Sequence, residues 1–167
     1  GGVRVPGILE WPARFPRPAV IDAPVSTSDF FPTLLAWAGV APGTQAQTLD
    51  GIDVTPLLDG SRKERGSGIA FQSPTRLGLG KDWSTYPDHW RMNPDPATRQ
   101  LALSGDRFKL ISADGGKSFQ LYDLKLDRAE TTDVAAENPA VARSMRKELL
   151  AWVESCERSR AGAGRRE

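Results

Sequence analysis

In the first sixty residues the apolar positions come in short runs broken by proline and glycine, and one run keeps helical spacing. From Asp29 the chain reads Asp-Phe-Phe-Pro-Thr-Leu-Leu-Ala-Trp-Ala-Gly. Phe30, Leu34 and Trp37 share one face, and Phe31 and Leu35 widen it. The spacing predicts a helix over Thr27 to Ala38, buried on most sides. Ser26 and Asp29 make a capping box at its start, with Asp29 at the positive end of the dipole. Pro32 belongs in the first turn or so, and Gly39 ends the helix. Upstream, Val3-Arg4-Val5 opens a strand running to Leu9, in which Pro6 limits pairing. A proline-rich loop from Trp11 to Pro24 follows it. Downstream, Asp50-Gly51 reads as a turn, and the segment to Leu58 as a short helical turn closed by Gly60.

The polar stretch Ser61 to Ser67 marks the candidate boundary. Gly68 to Gln72 predicts a strand. Gln100 to Leu103 and Arg107 to Ser112 form a hairpin about the Gly105-Asp106 turn, and Asp114-Gly115-Gly116 leads to a further strand at Ser118 to Asp123. Three or four antiparallel strands are expected. Asn138-Pro139 then starts a long helix, a cap followed by proline at the first position. Its apolar stripe is Val141, Met145, Leu149, Trp152 and Cys156. The tail, residues 159–167, is rich in Gly, Ala and Arg and is expected to be disordered. Between the first strand and the hairpin lies a long irregular region, Ser73 to Thr98, that holds Arg76, Trp83, Tyr86, His89, Trp90 and Arg91. A stretch of this kind in a compact domain is functional or disordered.

Composition narrows the class without naming a chemistry. Apolar residues are 39% and charged residues 26% of 167, as in an ordinary globular chain of one domain or parts of two. Lys and Arg exceed Asp and Glu by 22 − 21 = +1, so no global field favours nucleic acid or a membrane surface. The apolar runs are much shorter than a membrane span. A single cysteine excludes an internal disulfide. A single histidine, His89, excludes a two-histidine metal site or relay within the chain. The start at Gly1 lacks methionine and reads as the middle of a longer protein.

Five motifs in order carry a family resemblance. They are Gly1-Gly2-Val3-Arg4-Val5-Pro6 with Trp11-Pro12; Asp29 to Gly39; Gly51 to Gly60 with its Pro56-Leu57-Leu58; Gly105 to Ile111 with Leu121-Tyr122-Asp123-Leu124; and Asp127 to Ala135. Together they resemble the sulfatases of the alkaline phosphatase superfamily, from Gly1 to about Ser155. Arg128 and Asp133 depart from that pattern. The resemblance implies an α/β (alkaline phosphatase-like) fragment, residues 1–60, that ends the large domain. An α+β subdomain follows over 61–158, a small antiparallel sheet with a long C-terminal helix.

The resemblance also implies what the chain lacks. Sulfate-ester hydrolysis in this family uses a formylglycine and a divalent cation, usually calcium, both held upstream of the Gly-Gly-x-Arg-Val-Pro segment. A hydrated aldehyde supplies the nucleophile, the metal polarises it and the sulfate, and cationic side chains stabilise the developing charge. No catalytic residue and no metal ligand are therefore assigned here, and the isolated chain is expected to be inactive. Cys156-Glu157-Arg158-Ser159-Arg160 imitates the formylglycine motif but has Arg158 in place of its proline, and it reads as a helix-face cysteine.

The substrate-binding candidates are Arg76, Trp83, His89, Trp90 and Arg91, because aromatic faces stack on sugar rings and Arg grips oxyanions bidentately. The competing reading is a Trp-rich loop packed on a neighbouring domain. Gly1, Gly2 and Arg4 are assigned to positioning a loop near the active site. Asp50 and Asp53 read as turn residues with Asp50 capping, and Asp127 and Glu130 as surface carboxylates neutralised by Arg128. The expected partners are the missing N-terminal sulfatase domain and a sulfated sugar or aryl sulfate, with neither nucleic acid nor membrane. The apolar helix face without a visible partner makes self-association of the fragment an expectation. The resemblance sets a periplasmic or secreted location as an expectation, and the sequence itself fixes no compartment. Two alternatives stand beside this reading: a non-catalytic module that binds anionic glycans or a protein, and a phosphoryl-transfer relative in the same superfamily.

Overall fold

Three helices and four strands form among residues 5–41, 49–73 and 99–162, the part described by a computed structural model. The chain divides after Ser67 into two units. In the first, a 3₁₀ turn, Thr27–Asp29, leads into α1, Phe30–Trp37. The capping box is present: Ser26 N–H donates to Asp29 Oδ2 at 2.7 Å and Ser28 N–H to Ser26 Oγ at 3.4 Å. Gly39 ends α1 at φ 67°, where its N–H reaches the Ala36 carbonyl and the next N–H reaches that of Leu35. That paired closure needs a left-handed residue, which glycine supplies at no steric cost. Helix α2, Thr55–Leu58, has proline in its first turn.

The buried side of α1 is polar. Asp29, Thr33 and Trp37 follow one another at four-residue spacing, and each is tied to the segment that precedes or opens α2. Asp29 Oδ1 accepts the Ile52 N–H at 2.8 Å, Thr33 Oγ1 accepts the Val54 N–H at 3.1 Å, and Trp37 Nε1 donates to Thr55 Oγ1 at 2.8 Å. The expectation of a helix buried on most sides is therefore corrected: Phe30, Phe31 and Leu34 are exposed. Hydrogen bonds to neighbouring backbone decide which face turns inward, and the apolar face is left without cover. The expected strand at Val3 to Leu9 is also corrected over its described part. Residues 5–9 make no strand, and Val5, Ile8 and Leu9 are exposed. A strand needs a neighbour to take its backbone hydrogen bonds, and none is present for it among the described residues.

The second unit is a four-stranded antiparallel meander with a long helix on one face. Its strands are β1 Ile69–Ser73, β2 Gln100–Ser104, β3 Phe108–Ser112 and β4 Gln120–Asp123, in that spatial order. The helix is α3, Pro139–Arg160. Register places Leu103 opposite Leu110 and Leu110 opposite Leu121, so three leucines line up across the sheet. With Leu101 they meet Leu149 and Val153 of α3 in a core where none is more than 4% exposed. Alternation turns Lys109 and Tyr122 to the opposite face. The predicted stripe of α3 is right in phase, but Val153 is buried where Trp152 is only partly so. The helix extends through Arg160, so residues 159 and 160 are ordered rather than part of a loose tail.

Candidate functional site

Every residue assigned to substrate contact or loop positioning lies outside the described residues: Gly1, Gly2, Arg4, Arg76, Trp83, His89, Trp90 and Arg91. What is described is the frame that holds the ends of the region 74–98. The rung Ser73 opposite Gln100 is the last before that region departs. Arg99 sits beside it, buried at 7% exposure. Its Nη1 donates to Glu157 Oε1 of α3 at 2.8 Å and to Gln72 Oε1 of β1 at 3.4 Å. Its carbonyl accepts the Gly115 N–H at 3.0 Å, which brings in the turn after β3.

The other charged side chains are joints of the fold. Arg65, inside the stretch that reads as a polar boundary, is buried and grips both oxygens of Asp29. Burial pushes the Asp29 carboxyl up. Arg65 and the N–H groups of Ser26 and Ile52 outweigh it, and the net displacement is below the ordinary value. Lys109 Nζ donates to both oxygens of Glu130 at 2.7 Å. Glu130 itself holds φ 57°, a left-handed conformation that costs a non-glycine residue about 1–2 kcal/mol.

This corrects the assignment of Arg128 as the neutralising charge. Glu130 pairs with Lys109, and Asp127 accepts the N–H groups of Thr132, Thr131 and Ala129, which hold it low. Arg107 hydrogen-bonds Asp123 at 2.6 and 2.9 Å and holds it low as well. Asp114 gathers the hydroxyl and N–H of Ser118, the Ser112 hydroxyl and the Lys117 N–H, which keep its carboxyl far below the usual range. In the Asp50/Asp53 pair it is Asp53 that makes the local contact, accepting the Thr55 N–H at 2.9 Å in the turn before α2, whose N-cap is Val54. Asp50 is exposed.

The five motifs meet in space as pairs. Trp11 of the Trp-Pro motif packs edge-on against Trp37 of the helix motif, with ring centroids 5.0 Å apart. Phe15 completes the cluster, and the Arg14 guanidinium stands 5.5 Å from both tryptophan rings. Asp29 reaches the Gly51 element through Ile52, and Gly51 is fixed by contact: a Cβ there would collide with the Ser28 carbonyl oxygen. Lys109 and Glu130 join the last two motifs. Sequence reading missed Arg65, Arg99 and Lys109 because each looks like a solvated charge in its own segment. A row of three hydrogen-bonding side chains at four-residue spacing, Asp29, Thr33 and Trp37, was the one available signal for the buried face of α1.

No group of three His, Cys, Asp or Glu side chains among the described residues is placed to hold a metal ion. Asp29, Asp53, Asp114, Asp123, Asp127 and Glu130 are already engaged with cations, hydroxyls or backbone N–H groups, so they do not fit a calcium ion, and no step through one is assigned to them. Cys156 is half-buried on α3. Its neighbour Glu157 is bound to Arg99, and Arg158 is bound to Glu154 at 2.7 Å. The imitation of the formylglycine motif is therefore a helical segment laced by ion pairs. No helix among the described residues is long and apolar enough to cross a membrane.

Comparison with known proteins agrees over nearly the whole length. The model of the family described as N-sulphoglucosamine sulphohydrolase, C-terminal, matches residues 1–155. A sulfatase of Formosa agariphila is 31% identical over 162 residues, which is 92% of this chain and 27% of that protein. Human steryl-sulfatase is 48% identical over 71 residues, 42% of this chain and 12% of that protein. Among solved structures, the Ps i-CgsB crystal structure superimposes with TM-score 0.58 at 21% identity, over 80% of this chain and 25% of that one. A 2-O GAG sulfatase gives TM-score 0.50 at 20% identity, over 80% of this chain and 26% of that one. The chain thus spans about a quarter of the length of these proteins, human steryl-sulfatase apart, and the two structures speak for the fold alone.

Proposed function

The chain belongs to the N-sulphoglucosamine sulphohydrolase, C-terminal family of sulfatases, and on that premise we propose that it is the carboxy-terminal part of an enzyme that hydrolyses sulfate esters of a sulfated sugar or an aryl sulfate. The observation that carries this reading is the distribution of exposed apolar surface. Among the described residues, each large apolar side chain that is strongly exposed belongs to the first unit, Leu126 apart. Val5, Ile8, Leu9, Phe30, Phe31 and Leu34 are a surface that a finished protein covers. The remainder of the sulfatase is its cover. Residues 1–60 then close the large α/β domain and 61–158 form the smaller subdomain, with Arg65 reaching back to Asp29.

In that enzyme this chain supports the fold and shapes the substrate pocket. Arg76, Trp83, His89, Trp90 and Arg91 contact the sugar or its sulfate, and Gly1, Gly2 and Arg4 position the segment beside the active site. The formylglycine and the calcium ion, which supply the nucleophile and polarise the sulfate, come from the rest of the enzyme.

Two assays test the reading. In the whole enzyme, Trp83→Ala, His89→Ala and Arg91→Ala each raise KM for a sulfated substrate about tenfold, the factor that ~1.4 kcal/mol represents. If all three leave KM unchanged, the substrate role of this region is lost. The isolated chain turns over no aryl sulfate, and metal-dependent turnover by it alone would overturn the division of labour.

A further inference from the structure

Arg99 is a costly side chain for its place. A guanidinium loses much solvation when buried, and the leucine core already holds the sheet to α3 without it. Its Nε is buried with no hydrogen-bond partner among the described residues, so the groups described there do not satisfy the arginine completely. What the residue adds is direction. Its planar fork fixes the angle between the groups it joins, which an apolar residue of the same volume would leave loose. Those groups are Glu157 in the last turn of α3, Gln72 near the end of β1, and, through its own carbonyl, Gly115 in the turn after β3. All converge on the rung from which the region 74–98 leaves and to which it returns.

We propose that Arg99 is a positioning residue, clamping with Glu157 and Gln72 both ends of that region to the C-terminal end of α3. The helix thereby sets where the region starts and finishes relative to the sheet. The consequence for substrate rests on the specificity role proposed above, whereas the clamp itself does not.

The experiment uses the whole enzyme with Arg99→Lys and Glu157→Gln. Glu157 is half-exposed and Gln keeps its shape, so this variant disturbs the packing less than replacement of the buried arginine. Amide hydrogen exchange is read at Ser73 and Gln100 against Leu110 and Leu121, together with kcat and KM for an aryl sulfate. The clamp predicts exchange about tenfold faster at Ser73 and Gln100, with Leu110 and Leu121 unchanged. It further predicts a raised KM with kcat held, and recovery of both readouts in Glu157→Asp. Unchanged exchange at Ser73 and Gln100 overturns the clamp. A uniform rise across all four strands also overturns it, because that is the mark of general support. Faster exchange at the two ends with KM unmoved upholds the clamp and overturns the specificity role instead.

Discussion

Both carboxylate oxygens of Asp29 are engaged, one to the Ile52 N–H, the other to the Ser26 N–H, and both to Arg65. Asp29→Asn removes the carboxylate charge that the buried Arg65 guanidinium grips. We expect a loss of about 3–5 kcal/mol in the first unit, read by urea unfolding. Acid reaches the same joint by titration. A carboxyl held low in the folded state contributes stability above its unfolded value, 3.8 for this group, and loses it as pH falls through the lower folded value. Asp29, Asp114, Asp123 and Asp127 are all displaced downward, so stability is flat above about pH 5 and falls steeply below about pH 4. Urea unfolding of the wild type and of Asp29→Asn across pH 2–7 checks this, the variant showing the shallower slope.

Elements here hold by two different means. The second unit is a leucine sheet under an amphipathic helix. Leu110, fully buried and flanked by Leu103 and Leu121, should cost about 2–5 kcal/mol when cut to alanine, measured by the same unfolding. The first unit rests on side-chain hydrogen bonds between α1 and the segment before α2. A methyl at Gly51 strikes the Ser28 backbone, which cannot yield without moving the start of the helix. Gly51→Ala should therefore disrupt the first unit while leaving the sheet intact, and amide exchange separates the two outcomes. Strand Gly68 to Gln72, the hairpin and α3 were legible because each carries its own period and its own turn or cap. The stretch Val3 to Leu9 was read as a strand from the Val3-Arg4-Val5 alternation, but its described part, residues 5–9, has no partner strand among the described residues.

At the scale of the molecule, the exposed apolar side chains of the first unit give the prediction that bears on the proposed enzyme. The isolated chain should bind an apolar dye, and replacing Phe30, Phe31 and Leu34 together by serine should abolish most of that binding without unfolding the second unit. The same chain should self-associate at raised concentration, and the triple variant should reverse it, as sedimentation would show. A wild-type chain that stays monomeric and dye-free would remove the support for a missing neighbour.

The amino-acid sequence alone determined the family, the antiparallel sheet, the long helix with its proline start, and the capping box at Ser26. Each of these is written in residues close together, where turn chemistry and periodicity act locally. Tertiary structure decided the rest. Arg65, Arg99 and Lys109 look alike in sequence as charges in polar surroundings, and only folding brings Asp29, Glu157 and Glu130 to meet them from 36, 58 and 21 residues away. It also decided which side of α1 turns inward, because hydrogen bonds to the distant Ile52 and Val54 N–H groups and the Thr55 hydroxyl outweighed the apolar stripe that periodicity favours. Long-range pairing leaves no periodic trace in the chain, and the joints of this protein are of that kind.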